Sequence, residues 1–119
     1  MKRILIVEDD NDILELLKIV FRGSAYDVVF SSIAPENDEI KILRPDLILL
    51  DVRLKGAAKS GADICKELKA SPDTRMFPVI LLSGEYNLAQ IASESNADMY
   101  LAKPYDMLSL FLKIEENLA

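Results

Sequence analysis

Residues 47–56 read "LILLDVRLKG", and the first four apolar residues lead directly into Asp51. A short, continuous apolar run is typical of a strand that is buried on both faces of a parallel sheet. An interior strand would thus deliver a carboxylate to its own end. The placement of Asp51 has to be explained by what the rest of the chain brings to the same edge.

Apolar runs of strand length recur along the chain and alternate with helical segments. The predicted strands are residues 3–7, 27–31, 46–50, 79–83 and 99–103, and the predicted helices are residues 11–22, 34–44, 61–70, 87–95 and 105–119. This alternation indicates βαβ units, a parallel sheet and helices on both of its faces. The expected fold class is α/β, a five-stranded parallel sheet in a doubly wound (βα)5 arrangement.

Several helix ends can be predicted from local signals. Asp10 or Asn11 is suited to cap the first helix, Pro35 fits the first position of the second helix, and Pro45 stops it. Helical spacing predicts an apolar face on the first helix made of Ile13, Leu16, Leu17 and Val20. On the last helix the same spacing selects Met107, Phe111, Ile114 and Leu118.

The length and the distribution of apolar residues bound the class of protein. A chain of 119 residues fits one compact domain, residues 1–119. Half of the residues are hydrophobic, but they never form a run of about 18 or more, so no segment is expected to span a membrane. The opening "MKRILIVEDD" is interpreted as a first strand rather than a signal peptide, and a cytoplasmic location is expected.

The net charge and the residue composition limit the kinds of ligand that this chain can bind. A formal net charge of −6 disfavours direct binding of nucleic acid, because such binding depends mainly on Lys and Arg. The single cysteine, Cys65, cannot form an internal disulfide and is expected to be a buried helical residue. With no histidine, a zinc site of the Cys/His type is essentially excluded. Any metal must be held by oxygen.

Polar residues follow four of the five predicted strands. In a doubly wound sheet, ligands bind outside the carboxyl ends of the strands, where the strand order reverses. Carboxylates that meet there repel one another unless a cation joins them, which points to Mg²⁺. Helix and loop capping could explain each acid alone, but not why all of them lie at one edge. The residues concerned are Glu8, Asp9, Asp10, Asp51, Ser83 and Lys103.

Four motifs, in order along the chain, resemble the receiver domain of bacterial two-component response regulators. They are "LIVEDD" (5–10), "PDLILLD" (45–51), "PVILLSG" (78–84) and "ADMYLAKP" (97–104), and the resemblance covers essentially the whole chain. It implies the flavodoxin-like strand order 2-1-3-4-5. It also implies a phosphorylation-controlled signalling module that is not an enzyme in its own right.

The resemblance assigns roles to the residues at the acidic edge. Asp51 would be the phosphoacceptor, and Glu8 and Asp9 would be the acidic pair that binds Mg²⁺ together with Asp51. The backbone carbonyl of Arg53 would be a further metal ligand. Lys103 would pair with the oxygens of the phosphoryl group.

A conformational switch is implied as well. Ser83 would donate a hydrogen bond to the phosphoryl group, and Tyr100 would reorient with it. The Lys103-Pro104 step resembles one that is usually cis in the family. Asn96 stands where the family commonly has glycine, and asparagine tolerates a left-handed backbone.

The resemblance implies one partner that donates the phosphoryl group and another that binds downstream. The donor would be a phosphohistidine on a sensor histidine kinase or phosphotransfer protein, because this chain has no histidine of its own. A downstream protein or effector domain would contact helix 4, strand 5 and helix 5, where Leu108 and Leu112 are predicted to be exposed. A phosphorylation-dependent dimer is a further expectation.

The chain departs from the family pattern next to Asp51. The usual short loop with a proline and then a glycine is replaced by the longer "VRLKGAAKSG" (52–61), which is expected to affect metal access or kinase docking. Between Ser83 and Lys103 the chain is shorter than usual, so helix 4 or its leading loop should be truncated.

Two other functions are weighed against the receiver. One is a pseudo-receiver that binds partners without being phosphorylated. The other is a phosphatase with an aspartate nucleophile, but such enzymes need a second aspartate where this chain has Arg53. A nucleotide-binding P-loop is absent from the sequence.

Overall fold

A computed structural model describes residues 1–118 of the chain. Its five strands are all parallel and lie in the order β2-β1-β3-β4-β5. They are β1 (Arg3–Val7), β2 (Asp27–Ser31), β3 (Leu47–Asp51), β4 (Val79–Ser83) and β5 (Met99–Ala102). The predicted doubly wound α/β class and the strand order are confirmed.

One helix follows each strand. The helices are α1 (Asn11–Phe21), α2 (Asn37–Leu43), α3 (Gly61–Ala70), α4 (Leu88–Ser95) and α5 (Met107–Leu118). Asp10 caps α1, because its side chain accepts hydrogen bonds from the backbone N–H groups of Asp12 and Ile13. Asn96 ends α4 in the left-handed conformation, with φ 62°. The predictions for both residues are confirmed.

Alternating residues of the central strands pack into two separate cores. One face of the sheet packs against α2, α3 and α4, and the other packs against α1 and α5. The first face carries Leu5, Val7, Ile48, Leu50, Val79 and Leu81, and the second carries Ile4, Ile6, Leu47, Leu49, Ile80 and Leu82. Each such side chain contributes about 1.5–3 kcal/mol when it is fully buried. The central strands are therefore rigid supports for the residues at their carboxyl ends.

Among the sequence predictions that were wrong in detail, three concern α2, β3 and α1. The second helix begins at Asn37, not Pro35, because Glu36 is its N-cap and donates its backbone N–H to the Glu39 side chain. Strand β3 ends on Asp51 itself, and Asp46 lies before the strand. On α1, Leu16 is 47% exposed, and the buried face consists of Leu14, Leu17 and Phe21.

Two further expectations concern the burial of Cys65 and the absence of a membrane-spanning helix. Cys65 is buried in α3, as predicted, and its burial raises the pKa of the thiol to about 11. Within residues 1–118, no helix combines the length and the apolar character needed to cross a membrane.

Candidate functional site

The two central strands carry the acids to a common edge. Val7 of β1 pairs with Leu50 of β3, so the next residues, Glu8 and Asp51, come level at the carboxyl ends of the strands. Both side chains are removed from solvent, with Glu8 0% and Asp51 4% exposed. This edge is also the point where the strand order reverses, which is where ligands bind in such sheets.

Lys103 joins the two buried carboxylates. Its Nζ lies 2.8 Å from Glu8 Oε1 and 3.2 Å from Asp51 Oδ2. The backbone N–H of Lys103 donates to the Ser83 carbonyl at 2.8 Å, which extends the pairing of β4 with β5. This hydrogen bond fixes the backbone from which the Lys103 side chain projects. The Lys103-Pro104 peptide bond is cis, as the resemblance implies.

The charges at this edge are not balanced. Burial raises the pKa of the Asp51 carboxyl from 3.8 to about 7, the neighbouring Glu8 adds to the rise, and Lys103 opposes it. Burial by itself would lower the pKa of the Lys103 ammonium, but the hydrogen bond to Glu8 and the charge of Asp51 outweigh this effect and raise it. Lys103 is therefore a permanent cation at neutral pH, and one cation is insufficient for the acids around it.

The acids fit a magnesium ion. Glu8, Asp9 and Asp51 each offer one carboxylate oxygen, and these three oxygens lie within 4.8 Å of one another. Mg²⁺ prefers oxygen ligands and typically uses one or two carboxylates, with water in its remaining positions. A divalent cation would also offset the repulsion from Glu8, which adds to the effect of burial in raising the pKa of Asp51. Arg53, whose carbonyl the resemblance assigns to the metal, lines the same cavity.

Asp9 and Asp10 have different surroundings although they are neighbours. Asp9 Oδ2 accepts the backbone N–H of Lys55 at 2.7 Å. Asp10 uses Oδ1 to cap α1, at 3.0 Å from the backbone nitrogen of Asp12 and 3.2 Å from that of Ile13. These contacts confirm the prediction that Asp10 is a helix cap.

A cavity of about 480 Å³ opens over these residues. Two of the residues that line it form an ion pair, in which Arg53 Nε lies 2.6 Å from Glu85 Oε1. Ser83, at the end of β4, is buried and uses its Oγ to accept the backbone N–H of Glu85 at 2.9 Å. The residues that line the cavity are Asp9, Asp10, Asp51, Arg53, Lys55, Ser83, Gly84, Glu85 and Lys103.

The remaining predicted residues lie away from this cavity. Tyr100 on β5 is 45% exposed and lines a shallow cavity of about 420 Å³ between α4, β5 and α5. Leu108 and Leu112 on α5 are 70% and 55% exposed. Their outward orientation agrees with the sequence prediction.

Two residues near the site were not singled out from the sequence. One is Lys55, which contacts Asp9 through its backbone N–H, so its side chain gives no signal. The other is Tyr105, whose hydroxyl is buried and has no hydrogen-bond partner within the described part of the chain. Burial and the charge of Glu8 raise the pKa of Tyr105 to about 12. Its position directly after Lys103-Pro104 could have drawn attention to it.

The fold and its acidic edge together define a doubly wound α/β protein with a candidate ligand site at its switch point. A family model described as the response regulator receiver domain matches residues 4–115. The DNA-binding response regulator MtrA of Mycobacterium tuberculosis is 33% identical over 120 residues, an alignment that covers 98% of this chain and 50% of MtrA. The chain therefore belongs to the response regulator receiver domain family.

Solved structures agree with this assignment. The signal receiver domain of a signal transduction histidine kinase from Syntrophus aciditrophicus aligns with a TM-score of 0.84 at 31% identity, over 99% of this chain and 90% of that one. The chemotaxis response regulator CheY4 of Vibrio cholerae aligns with a TM-score of 0.84 over 98% of both chains, but at 20% identity it supports the fold alone. The chain spans about half the length of the curated relatives it matches.

Proposed function

We propose that this chain accepts a phosphoryl group on Asp51 from a partner histidine kinase or phosphotransfer protein, and that Mg²⁺ is required. The observation that carries the proposal is the position of Asp51. Its carboxylate stands at the rigid end of β3, 3.2 Å from the Lys103 ammonium, and within 4.8 Å of carboxylate oxygens of Glu8 and Asp9. Family membership supports the same role.

The proposed reaction divides the work among these residues. An Asp51 oxygen forms a bond to phosphorus while the bond from phosphorus to the donor histidine nitrogen breaks, so the histidine leaves with that electron pair. Lys103 pairs with the phosphoryl oxygens and offsets their charge. Glu8, Asp9 and the Arg53 carbonyl would hold the metal, which supplies further charge neutralisation when bound. The stiffness of β3 fixes the line of attack of Asp51.

The proposed response begins at Ser83. Phosphorylated Asp51 carries a charge of about −1.5 to −2, which attracts hydrogen-bond donors. The Ser83 hydroxyl accepts a hydrogen bond from the Glu85 N–H, so it can still donate its own proton to the new group. Tyr100, now half-exposed, would turn inward in the space that Ser83 leaves. The surface of α4, β5 and α5 would then change with the state of Asp51.

The proposed partners are proteins. MtrA is described as DNA-binding, but this chain aligns with only half of it and has a net charge of −6, so we propose that this domain does not contact nucleic acid itself. A downstream protein or effector domain, or a second phosphorylated copy, would bind at α4, β5 and α5. We further propose that residues 1–119 form one receiver domain that acts in the cytoplasm, as is usual for the family.

The test is intact mass after incubation with acetyl phosphate, with and without Mg²⁺. Wild type should gain one phosphoryl group only with Mg²⁺, and Asp51→Asn should gain none. Asp38→Asn, which changes an exposed acid on α2, serves as the matched control and should behave as wild type. No adduct on the wild type would instead support a pseudo-receiver, and an adduct that persists in Asp51→Asn would move the acceptor elsewhere.

A further inference from the structure

The loop after β3 contacts Asp9 through its backbone. The N–H of Lys55 lies 2.7 Å from Asp9 Oδ2, and the two residues are 46 positions apart in the chain. Asp9 is only partly buried, so its side chain would otherwise be free to sample several rotamers. A hydrogen bond of N–H to a carboxylate is charge-assisted and stronger than one between neutral groups.

The loop is built to present this N–H. Leu54 is 8% exposed and Val52 is 6% exposed, so the chain on the β3 side of Lys55 is anchored in the core. On the other side, Gly56 has φ 71°, a left-handed conformation, and the Ala57 N–H donates to the Leu54 carbonyl at 3.2 Å. Together these features make a tight turn around Lys55, whose side chain is exposed.

This N–H is available because residue 55 is not a proline. The family resemblance leads to the expectation of a proline in this loop, but residues 52–61 contain none. A proline has no N–H to donate. The chain therefore has a donor at Lys55 that a proline there would remove.

We infer that the Lys55 N–H is a positioning group for the metal site: it holds Asp9 through Oδ2 so that Asp9 presents a carboxylate oxygen to the ion beside Glu8 and Asp51. The inference rests on the proposed function of the same site. The three carboxylate oxygens already lie within 4.8 Å of one another while the Lys55 hydrogen bond is made, so the orientation it imposes is compatible with binding. A carboxylate that accepts one hydrogen bond keeps further lone pairs for a metal.

The test compares Lys55→Pro with Lys55→Ala by calorimetric titration with Mg²⁺. Both variants lose the same charge, but only Lys55→Pro loses the N–H. Loss of a hydrogen-bond partner of a metal ligand typically weakens affinity by about 10–100-fold. Lys55→Pro should therefore bind Mg²⁺ about tenfold or more weakly than Lys55→Ala, which should be close to wild type.

A second measurement uses the wild type alone and does not depend on the folding of Lys55→Pro. The Lys55 amide, observed by NMR, should be protected from hydrogen exchange without Mg²⁺ and should stay protected when Mg²⁺ is saturating. Loss of protection on adding Mg²⁺, or tighter binding by Lys55→Pro, would overturn the inference, because the N–H would then compete with the ion.

The outcomes also separate this inference from the proposed function. If the wild type binds Mg²⁺ and the two variants bind it equally well, the positioning role of Lys55 fails and the proposed function stands. If the wild type does not bind Mg²⁺ at all, both fail together.

Discussion

Two acidic side chains and one basic side chain are held together at the carboxyl ends of the strands. They are Glu8, Asp51 and Lys103. Lys103 Nζ contacts both carboxylates, at 2.8 Å from Glu8 and 3.2 Å from Asp51. Taking such groups out of water costs several kcal/mol per ion, and the mutual attraction offsets only part of it. The part of this cost that the attraction does not offset raises the pKa of Asp51 to about 7. Strongly shifted groups of this kind are typical of functional sites.

We predict that Asp51 makes the stability of the metal-free protein fall as pH rises. Its pKa is about 7 in the fold, because of burial and the proximity of Glu8, and near 3.8 when unfolded. The folded state thus retains a proton that the unfolded state has released, and the free energy of unfolding decreases with pH until about pH 7. Between about pH 5.5 and 8 the loss should be on the order of 2 kcal/mol.

The measurement is urea denaturation in EDTA at several pH values, with Asp51→Asn as the control. Because asparagine does not titrate, the variant should gain stability relative to wild type as pH rises through this window. Parallel pH profiles for the two proteins would contradict the prediction.

At the scale of elements, the start of α3 lies close to the end of β3, the strand that carries Asp51. Gly61 begins α3, is buried, and donates its N–H to the Val52 carbonyl at 2.7 Å. A Cβ on Gly61 would lie 2.8 Å from the carbonyl carbon of Asp51, and closer still to its oxygen. Only glycine lets the helix pack this near to the backbone that carries Asp51.

We predict that Gly61→Ala is destabilising by about 1–3 kcal/mol or more, since backbone has to move to admit the methyl group. The shift falls on Asp51 itself, so the yield of phosphorylated protein should drop as well. Urea denaturation and intact mass measure the two effects. Gly84→Ala is the control for stability, because a Cβ there meets no atom within 4 Å. Equal stability of the two variants would be incompatible with this account.

At the scale of the whole molecule, the exposed apolar residues of α5 lie apart from the phosphoacceptor. Leu108 and Leu112 are separated by one helical turn, so they share a face, and neither belongs to the two cores. Isolated exposed leucines are common on monomers. Here they occur on the helix beside β5, where Tyr100 is also half-exposed.

We predict that changing both Leu108 and Leu112 to Lys weakens self-association of the phosphorylated protein by at least about tenfold, because each buried leucine contributes about 1.5–3 kcal/mol. Stability should change little, since both side chains are exposed. Sedimentation with and without acetyl phosphate measures the association. Ile42→Lys, at a residue of α2 that is 81% exposed, is the matched control. Unchanged association in the double variant would rule out this surface as the proposed dimer interface, and unchanged binding of a downstream partner as well would remove it from the proposal.

Much of the architecture was predictable because its signals are local. Apolar runs such as residues 47–50 predicted buried strands, and their alternation with helices predicted the parallel sheet. Asp10 and Asn96 occupy helix ends that suit their side chains, and those preferences operate within a few residues. The shared edge of Glu8, Asp51 and Lys103 followed from the rule that parallel strands end together.

Other features required the packed molecule. On α1, the faces containing Leu16 and Leu14 share Leu17, and the pattern along the helix does not say which face turns inward. The structure buries Leu14 and Phe21, because Phe21 packs against Phe111 of α5 with ring centroids 4.9 Å apart. That neighbour is supplied by a segment at the other end of the chain.

The sequence by itself determined the fold class, the edge of the sheet at which the acids meet, and the family resemblance, because these depend on periodicity and on residue type. Only the tertiary structure decided that Lys103 bonds to both Glu8 and Asp51, that Arg53 pairs with Glu85, and that Asp9 is held by the Lys55 backbone. These contacts join positions 32–95 residues apart. Their geometry depends on how loops close over the sheet, which no local pattern specifies.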